Sequence, residues 1–303
     1  MARVLILSPG PDNGGVGIGI KRAFDRYAPG WEVRVAVRRR IWFGWDTDIL
    51  WDRRSADLVA GLFRRADVVH MMETPAVVET FAGWERKPRI IHHHGAIYRA
   101  HAAEFDGRAA REGIAAYGAT FELASAGNLR WLPHPVDLEQ MQRQVRPATR
   151  TKPVIAQSPS ARSVNDTDAL AAAFATGRIP ADLRLIERLP WRAHLAAKAG
   201  ADAVFDSLAT GYGMTLAEAW GMGIPGIAGA DDPAVLAVML AAIGHVPYYP
   251  VTRAGLVDEV ATFAADPELR REYAERGAAT VAAHHAEPRI VERLVAAYEE
   301  AIG

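Results

Sequence analysis

ADAVFDSLATGYGMTLAEAWGMGIPGIA, residues 201–228, is the stretch that decides the fold. A short apolar run at 203–206 enters a loop flanked by Gly211 and Gly213. A helix-length segment with one carboxylate, Glu218, comes next, and the Gly223-Ile224-Pro225 turn leads into another apolar run at 226–228. Strand, loop, helix and strand in this order make one repeat of a parallel sheet. Glycines at 211 and 213 let the backbone come close to a ligand. The helix start beyond them carries unpaired, positively polarised N–H groups suited to phosphate oxygens. Glu218, one turn in, is placed to accept hydrogen bonds from a ribose diol.

The same alternation runs outward in both directions, so the class is α/β. Upstream, strands are expected at 3–8, 32–37, 67–72 and 88–94, rich in Val and Ile and little alternated, as in strands buried on both faces. A second set is expected at 154–157, 183–186, 203–206 and 226–228. Between the sets, residues 146–153 (RPATRTKP) form a polar, proline-bounded linker. Beyond residue 251 the pattern is helical through 256–265, 268–284 and, after Pro288, 289–302. Two βαβ sheets in series fit, as domains 1–145 and 151–287, which the resemblance given below makes Rossmann-like.

The 303 residues suit two domains of ordinary size. With no cysteine there is no disulfide framework, thiolate metal site or cysteine nucleophile, and the default location is cytoplasmic. The longest unbroken apolar stretch, 234–244, is about half the ~20 residues a membrane span needs and reads as a buried core helix. The net charge of −1 conceals an asymmetry: residues 1–150 hold 22 Lys+Arg against 17 Asp+Glu (+5), and 151–303 hold 13 against 19 (−6). Much of the basic excess lies at Arg38, Arg39, Arg40, Arg53 and Arg54, interleaved with Trp42, Trp45 and Trp51. That interleaving is either a solvated face with core aromatics or a docking surface for an anionic or ring-bearing partner.

Two more constellations follow strands of the first half. Gly14, Gly15, Gly17 and Gly19 cluster where a loop enters a helix, a setting for an anion or sugar. They do not fit the dinucleotide fingerprint, because counting from Gly15 ends on Ile20 and from Gly17 on Arg22; there is no Walker lysine either. His92, His93 and His94 end the fourth strand, with His92 and His94 on one face. With no third ligand at a recognisable spacing, a polar contact to a ligand is expected there rather than a metal.

TGYGMTLAEAWGMGIP resembles the signature of retaining GT-B glycosyltransferases of glycosyltransferase family 4, E-G-F-G followed by E-A-x-x-x-G-x-P. The Gly-Gly-Val-Gly loop, His94-Gly95 and Leu132-Pro133-His134-Pro135-Val136-Asp137 support the resemblance along nearly the whole chain. It implies a GT-B architecture of two domains facing a cleft, with the C-terminal helix (288–303) packed back on the first. It further implies a hexosyltransferase-like enzyme that takes sugar from a nucleotide-diphosphate sugar with retention and without a metal. Gly14, Gly15, Val16 and Gly17 would approach the pyrophosphate or sugar, His94 the sugar, Arg162 the diphosphate and Glu218 the ribose. Ser160, Asn165, Thr210, Gly211, Tyr212, Gly213, Met214 and Thr215 complete the implied donor set. The acceptor would meet the basic first domain at Arg39, Arg40, Trp42, Trp45 and Trp51; an anionic lipid, glycan, protein or modified nucleic acid would suit it.

The chain departs from the family pattern twice. Thr210 stands where the family has a glutamate eight residues before Glu218, and Asn165 and Asp166 stand where it has lysine and glycine. These departures keep open a second class, a GT-B module that binds a nucleotide or a partner with weakened or no catalysis.

Overall fold

The computed structural model describes residues 1–144, 151–163, 165–229 and 231–303. Twelve strands are described: β1 (Ala2–Ser8), β2 (Trp31–Val37), β3 (Ile49–Leu50), β4 (Val68–Met72), β5 (Arg89–His93), β6 (Ala115–Gly118), β7 (Arg130–Trp131), β8 (Val154–Gln157), β9 (Asp182–Leu185), β10 (Ala203–Phe205), β11 (Gly226–Gly229) and β12 (Tyr249–Val251). They form a seven-stranded sheet in the order β3-β2-β1-β4-β5-β6-β7 and a five-stranded sheet in the order β12-β11-β10-β8-β9. Every pairing is parallel, so each crossover returns over a face of the sheet and the strands are buried on both sides. Val4, Leu5, Ile6 and Leu7 are all buried, which explains why β1 lacks polar alternation.

The chain divides into a unit of Met1–Pro135 with Glu287–Gly303 and a unit of Val136–Ala286. The division falls before the expected linker, of which residues 146–150 lie outside the described residues. Val136 N donates to His285 O at 2.8 Å, and the helix Leu138–Gln142 belongs with the second unit. In the first unit the C-terminal helix Glu287–Ile302 buries Ile290, Val291, Leu294, Ala297 and Tyr298 against Phe24 and the sheet. Positions separated by three, four, seven and eight residues make one apolar stripe, and burying each large side chain contributes roughly 1.5–3 kcal/mol. Tyr298 also bonds His70 Nδ1 at 2.9 Å.

Two expectations need correction. Strands β3, β6, β7 and β12 have only two to four residues each and offer no apolar run long enough to read. The stretch at 234–244 is the helix Pro233–Ile243, and it is not a core helix: it buries only Val235 and Met239, with Leu240 47% exposed. Its uniform apolarity carries no periodicity that would have marked an outer face. Among the described residues no helix is long and apolar enough to cross a membrane.

Both sheets reverse direction of winding at one place, β1/β4 in the first and β8/β10 in the second. The carboxyl ends of strands beside such a reversal leave a crevice where open α/β sheets bind ligands.

Candidate functional site

In the second unit the loops after β8 and β10 meet at the reversal. The β10 loop turns through Gly211, whose φ of 70° suits glycine, into the helix Met214–Gly221. Gly213 N donates to Asp206 Oδ2 at 2.8 Å. Met214 and Thr215, at the first two helical positions, have N–H groups without intrahelical acceptors and are half-buried. Tyr212 points away from this opening; it is buried, 3.1 Å from His285 Nε2 through its hydroxyl and edge-on to Trp220. Thr210 is half-buried, with its N–H toward Ser207 Oγ at 3.4 Å.

Glu218 lies below the helix start and is 3% exposed. Its Oε2 is 2.6 Å from the fully buried Lys198 ammonium, and its Oε1 accepts from Trp191 Nε1 at 2.8 Å. Lys198 also donates to Thr215 O at 3.2 Å, joining the carboxylate to the backbone of the first helical turn. Burial, with the Lys198 cation beside it, lowers His194 to about 4.

The β8 loop is organised by the two residues that depart from the family pattern. Asn165 Oδ1 accepts from Ser160 N at 3.1 Å and Ser160 Oγ at 3.3 Å, closing the loop on itself. Asp166 has φ 53°, a conformation that glycine adopts freely and aspartate tolerates. Its Oδ2 accepts from Leu208 N at 2.9 Å, which ties the β8 loop to the β10 loop, and its Oδ1 pairs with Arg253. Arg162 is exposed and held by Asp168 and Glu187, at 2.6 and 3.0 Å. Val164 lies outside the described residues.

In the first unit the glycine loop after β1 is closed by its own carboxylate. Asp12 Oδ1 accepts from Gly17 N and Oδ2 from Ile18 N, both at 2.8 Å, at the start of the helix Val16–Tyr27. Burial raises Asp12 to about 6 against the pull of these N–H groups. The amide of Gly17, expected on a pyrophosphate, is therefore already bonded. Gly14 and Gly15 have φ of 69° and 66°, and a Cβ at Gly15 would lie 2.6 Å from the Trp45 ring. Trp45 thus walls this loop. Trp51 is a core residue instead of a surface one: it is 5% exposed, stacked on Phe81, with the Arg38 guanidinium 3.5 Å from its ring centroid. Arg39, Arg40 and Trp42 are exposed, and Trp42 stacks on Phe43 with centroids 3.9 Å apart.

His92 and His94 share a face of β5, as alternation requires, and His93 lies on the other against Tyr98 and Phe105. The expected absence of a third convergent ligand is overturned: His134, forty residues on, places its Nε2 2.7 Å from His94 Nδ1. Burial holds all four imidazoles of this patch below the ordinary histidine range, His70 and His134 to about 3.

In the second unit Lys198, Trp191, Arg253 and Asp206, and in the first His134 and Asp12, are polar groups to which the sequence reading assigned no role. The one available signal was Lys198 directly after the apolar Leu195-Ala196-Ala197, a cation that burial would force to find an anion.

Burial also raises Asp206 to about 6, chiefly against the Gly213 N–H and the Lys198 cation. A carboxyl raised in the native state keeps its proton where the unfolded chain has lost it, so stability falls as pH rises from about 4 to about 6. Asp206→Asn keeps an acceptor for Gly213 N. It should gain on the order of 2 kcal/mol relative to the parent between about pH 4 and pH 7. Paired urea titrations at the two pH values check this, and an unchanged difference refutes it.

No family model matches the chain, and no curated protein matches its sequence. Solved structures match almost its full length. A glycosyltransferase from Rickettsia africae aligns with a TM-score of 0.70 at 12% identity, covering 99% of this chain and 98% of that one. Anabaena HepE, crystallised with UDP-glucose, aligns with a TM-score of 0.71 at 13% identity, covering 99% and 100%. Sucrose-phosphate synthase from Thermosynechococcus elongatus gives 0.65 at 14% identity, covering 99% of each chain. At such identities the likeness carries the fold, which is that of the GT-B type: two α/β domains built on parallel sheets.

Proposed function

We propose that this chain is a retaining glycosyltransferase, similar to family 4, that transfers a hexose from a nucleotide-diphosphate sugar. The observation that carries the reading is the opening at the β8/β10 reversal. There a glycine turn leads into a helix whose first N–H groups, of Met214 and Thr215, have no intrahelical acceptor, with Glu218 one turn in. The amides would take phosphate oxygens, and Glu218 the ribose diol, by exchanging its bond from Trp191 for one from a hydroxyl. Arg162, within the β8 loop, and Arg253, paired with Asp166 of that loop, are exposed cations that would offset the charge of the departing diphosphate without a divalent ion. The complex of Anabaena HepE with UDP-glucose supports a uridine-diphosphate sugar as the first donor to test.

His94, whose Nε2 is buried without a hydrogen-bond partner, would engage a sugar hydroxyl. Front-face attack, with the leaving phosphate taking the acceptor proton, needs no separate base. The acceptor would meet the first unit at Arg39, Arg40 and Trp42, a surface suited to an anionic group. Work in the cytoplasm accords with a chain that has no cysteine.

A second reading, a GT-B module that binds a nucleotide without turning it over, rests on the internal pairing of the donor groups. Arg162 is held by two carboxylates, and both Glu218 oxygens are occupied. A panel of nucleotide sugars decides between the two. The enzyme should release nucleotide diphosphate from one donor, slowly with water and faster with acceptor extract. A thermal shift with no release under either condition establishes the binding module.

A further inference from the structure

The imidazoles of His92, His94 and His134 come together at the carboxyl end of β5 and just beyond β7. One ring nitrogen from each lies within 4.8 Å of the other two. His92 Nε2 is 2.8 Å from Leu132 O, so this nitrogen carries the ring proton and donates it. The lone pair of His92 is thereby left on Nδ1, which is buried and has no hydrogen-bond partner; His94 Nε2 is buried and unpartnered too. The orphaned lone pair of His92 Nδ1 is uncommon in a folded interior and marks a missing ligand.

We propose that His92, His94 and His134 form a site for a transition-metal dication of the zinc type, with three imidazole ligands and an open fourth position. An all-nitrogen donor set suits zinc and excludes magnesium and calcium, which take oxygen. The bond from His92 Nε2–H to the Leu132 carbonyl is the outer contact that fixes the tautomer and orientation of a ligating histidine. Zn–N bonds of about 2.0–2.1 Å put tetrahedral ligand atoms roughly 3.3 Å apart. His94 and His134, now 2.7 Å apart, would separate slightly and the His92 ring would turn inward, both side-chain motions. Glu73, a buried carboxyl at φ 69° after β4, accepts from His94 N through Oε2 at 3.4 Å and holds the backbone beside this ligand. His94 would ligate through Nδ1, which leaves the Nε2 assigned above to a sugar hydroxyl, and the test does not depend on the donor reading, because metal uptake is read directly.

The whole chain, stripped with a chelator, is dialysed against zinc chloride, and cobalt(II) serves as a spectroscopic probe. One zinc per chain should be retained, and cobalt should give the strong visible absorption of a four-coordinate site. His134→Ala and His92→Ala should each weaken zinc binding at least tenfold, and His101→Ala, at an exposed histidine, should not. Circular dichroism reports whether the variants fold; where they do not, the cobalt spectrum of the parent still decides. A parent that retains no zinc, a six-coordinate cobalt spectrum, or folded His134→Ala binding zinc as the parent does would overturn the proposal.

Discussion

Lys198→Met should lower the stability of the second unit by about 3–5 kcal/mol, read as a shift in urea midpoint. Methionine nearly matches the lysine stem, so packing is preserved and the charge alone is lost. Glu218 would then keep a buried carboxylate, 5% exposed, to which Trp191 Nε1 still donates. An uncompensated buried charge is far more costly than an exposed one. The double variant Lys198→Met/Glu218→Leu should recover most of the loss, because an apolar pair commonly replaces a buried ion pair at little cost. Activity should not follow stability. The double variant should fold and still turn over no donor, since the ribose acceptor is gone. A loss below about 1 kcal/mol in Lys198→Met would mean the pair is not the buried contact described. Donor turnover by the double variant would remove Glu218 from the site.

This pair also shows where sequence reading stops. The glycine turn, the helix start and Glu218 were legible because their chemistry is local: positive φ, unpaired N–H groups and one carboxylate lie within nine residues. The long buried strands were legible because a parallel sheet demands continuous apolar runs. The state of Glu218 was not, since a carboxylate on a short helix looks alike whether it faces water or an ammonium twenty residues upstream. The same holds for His134, which reaches His94 from across β6 and β7, and for Asp12, whose capping of its own loop takes the amides that the glycine cluster seemed to reserve for phosphate. Trp51 went into the core because its neighbour Arg38 stays outside and covers the ring, an arrangement that a basic and aromatic run does not distinguish from a docking face. Asp166 explains its own departure: φ 53° asks for glycine, and an aspartate that bonds Leu208 N and pairs with Arg253 compensates for the strain.

Gly229→Ala should be at least as damaging, although Gly229 touches no proposed ligand. A Cβ there would lie 1.7 Å from Leu208 O and 2.4 Å from Leu208 Cα, both backbone atoms that cannot rotate aside. Gly229 N also donates to Ser207 O at 2.8 Å, so β11 and the start of the β10 loop are held at a spacing that leaves no room for a methyl group. Relief requires moving the loop that carries Gly211 and Gly213, and the cost should exceed the ~1–3 kcal/mol of ordinary overpacking. Gly223→Ala is the matched control: its φ is 74° but nothing lies within 4 Å of the added Cβ, so it should show backbone strain alone, about 1–2 kcal/mol. Urea unfolding of both variants, with the donor-induced thermal shift measured on whatever remains folded, separates the two effects. Gly223→Ala should keep the shift, while Gly229→Ala should lose it even at temperatures where the fold persists, because the displaced segment sets the Met214 and Thr215 amides. If Gly229→Ala is no worse than Gly223→Ala, the close approach of β11 to the loop is wrong, and with it the rigid placement of those amides on which the donor site depends.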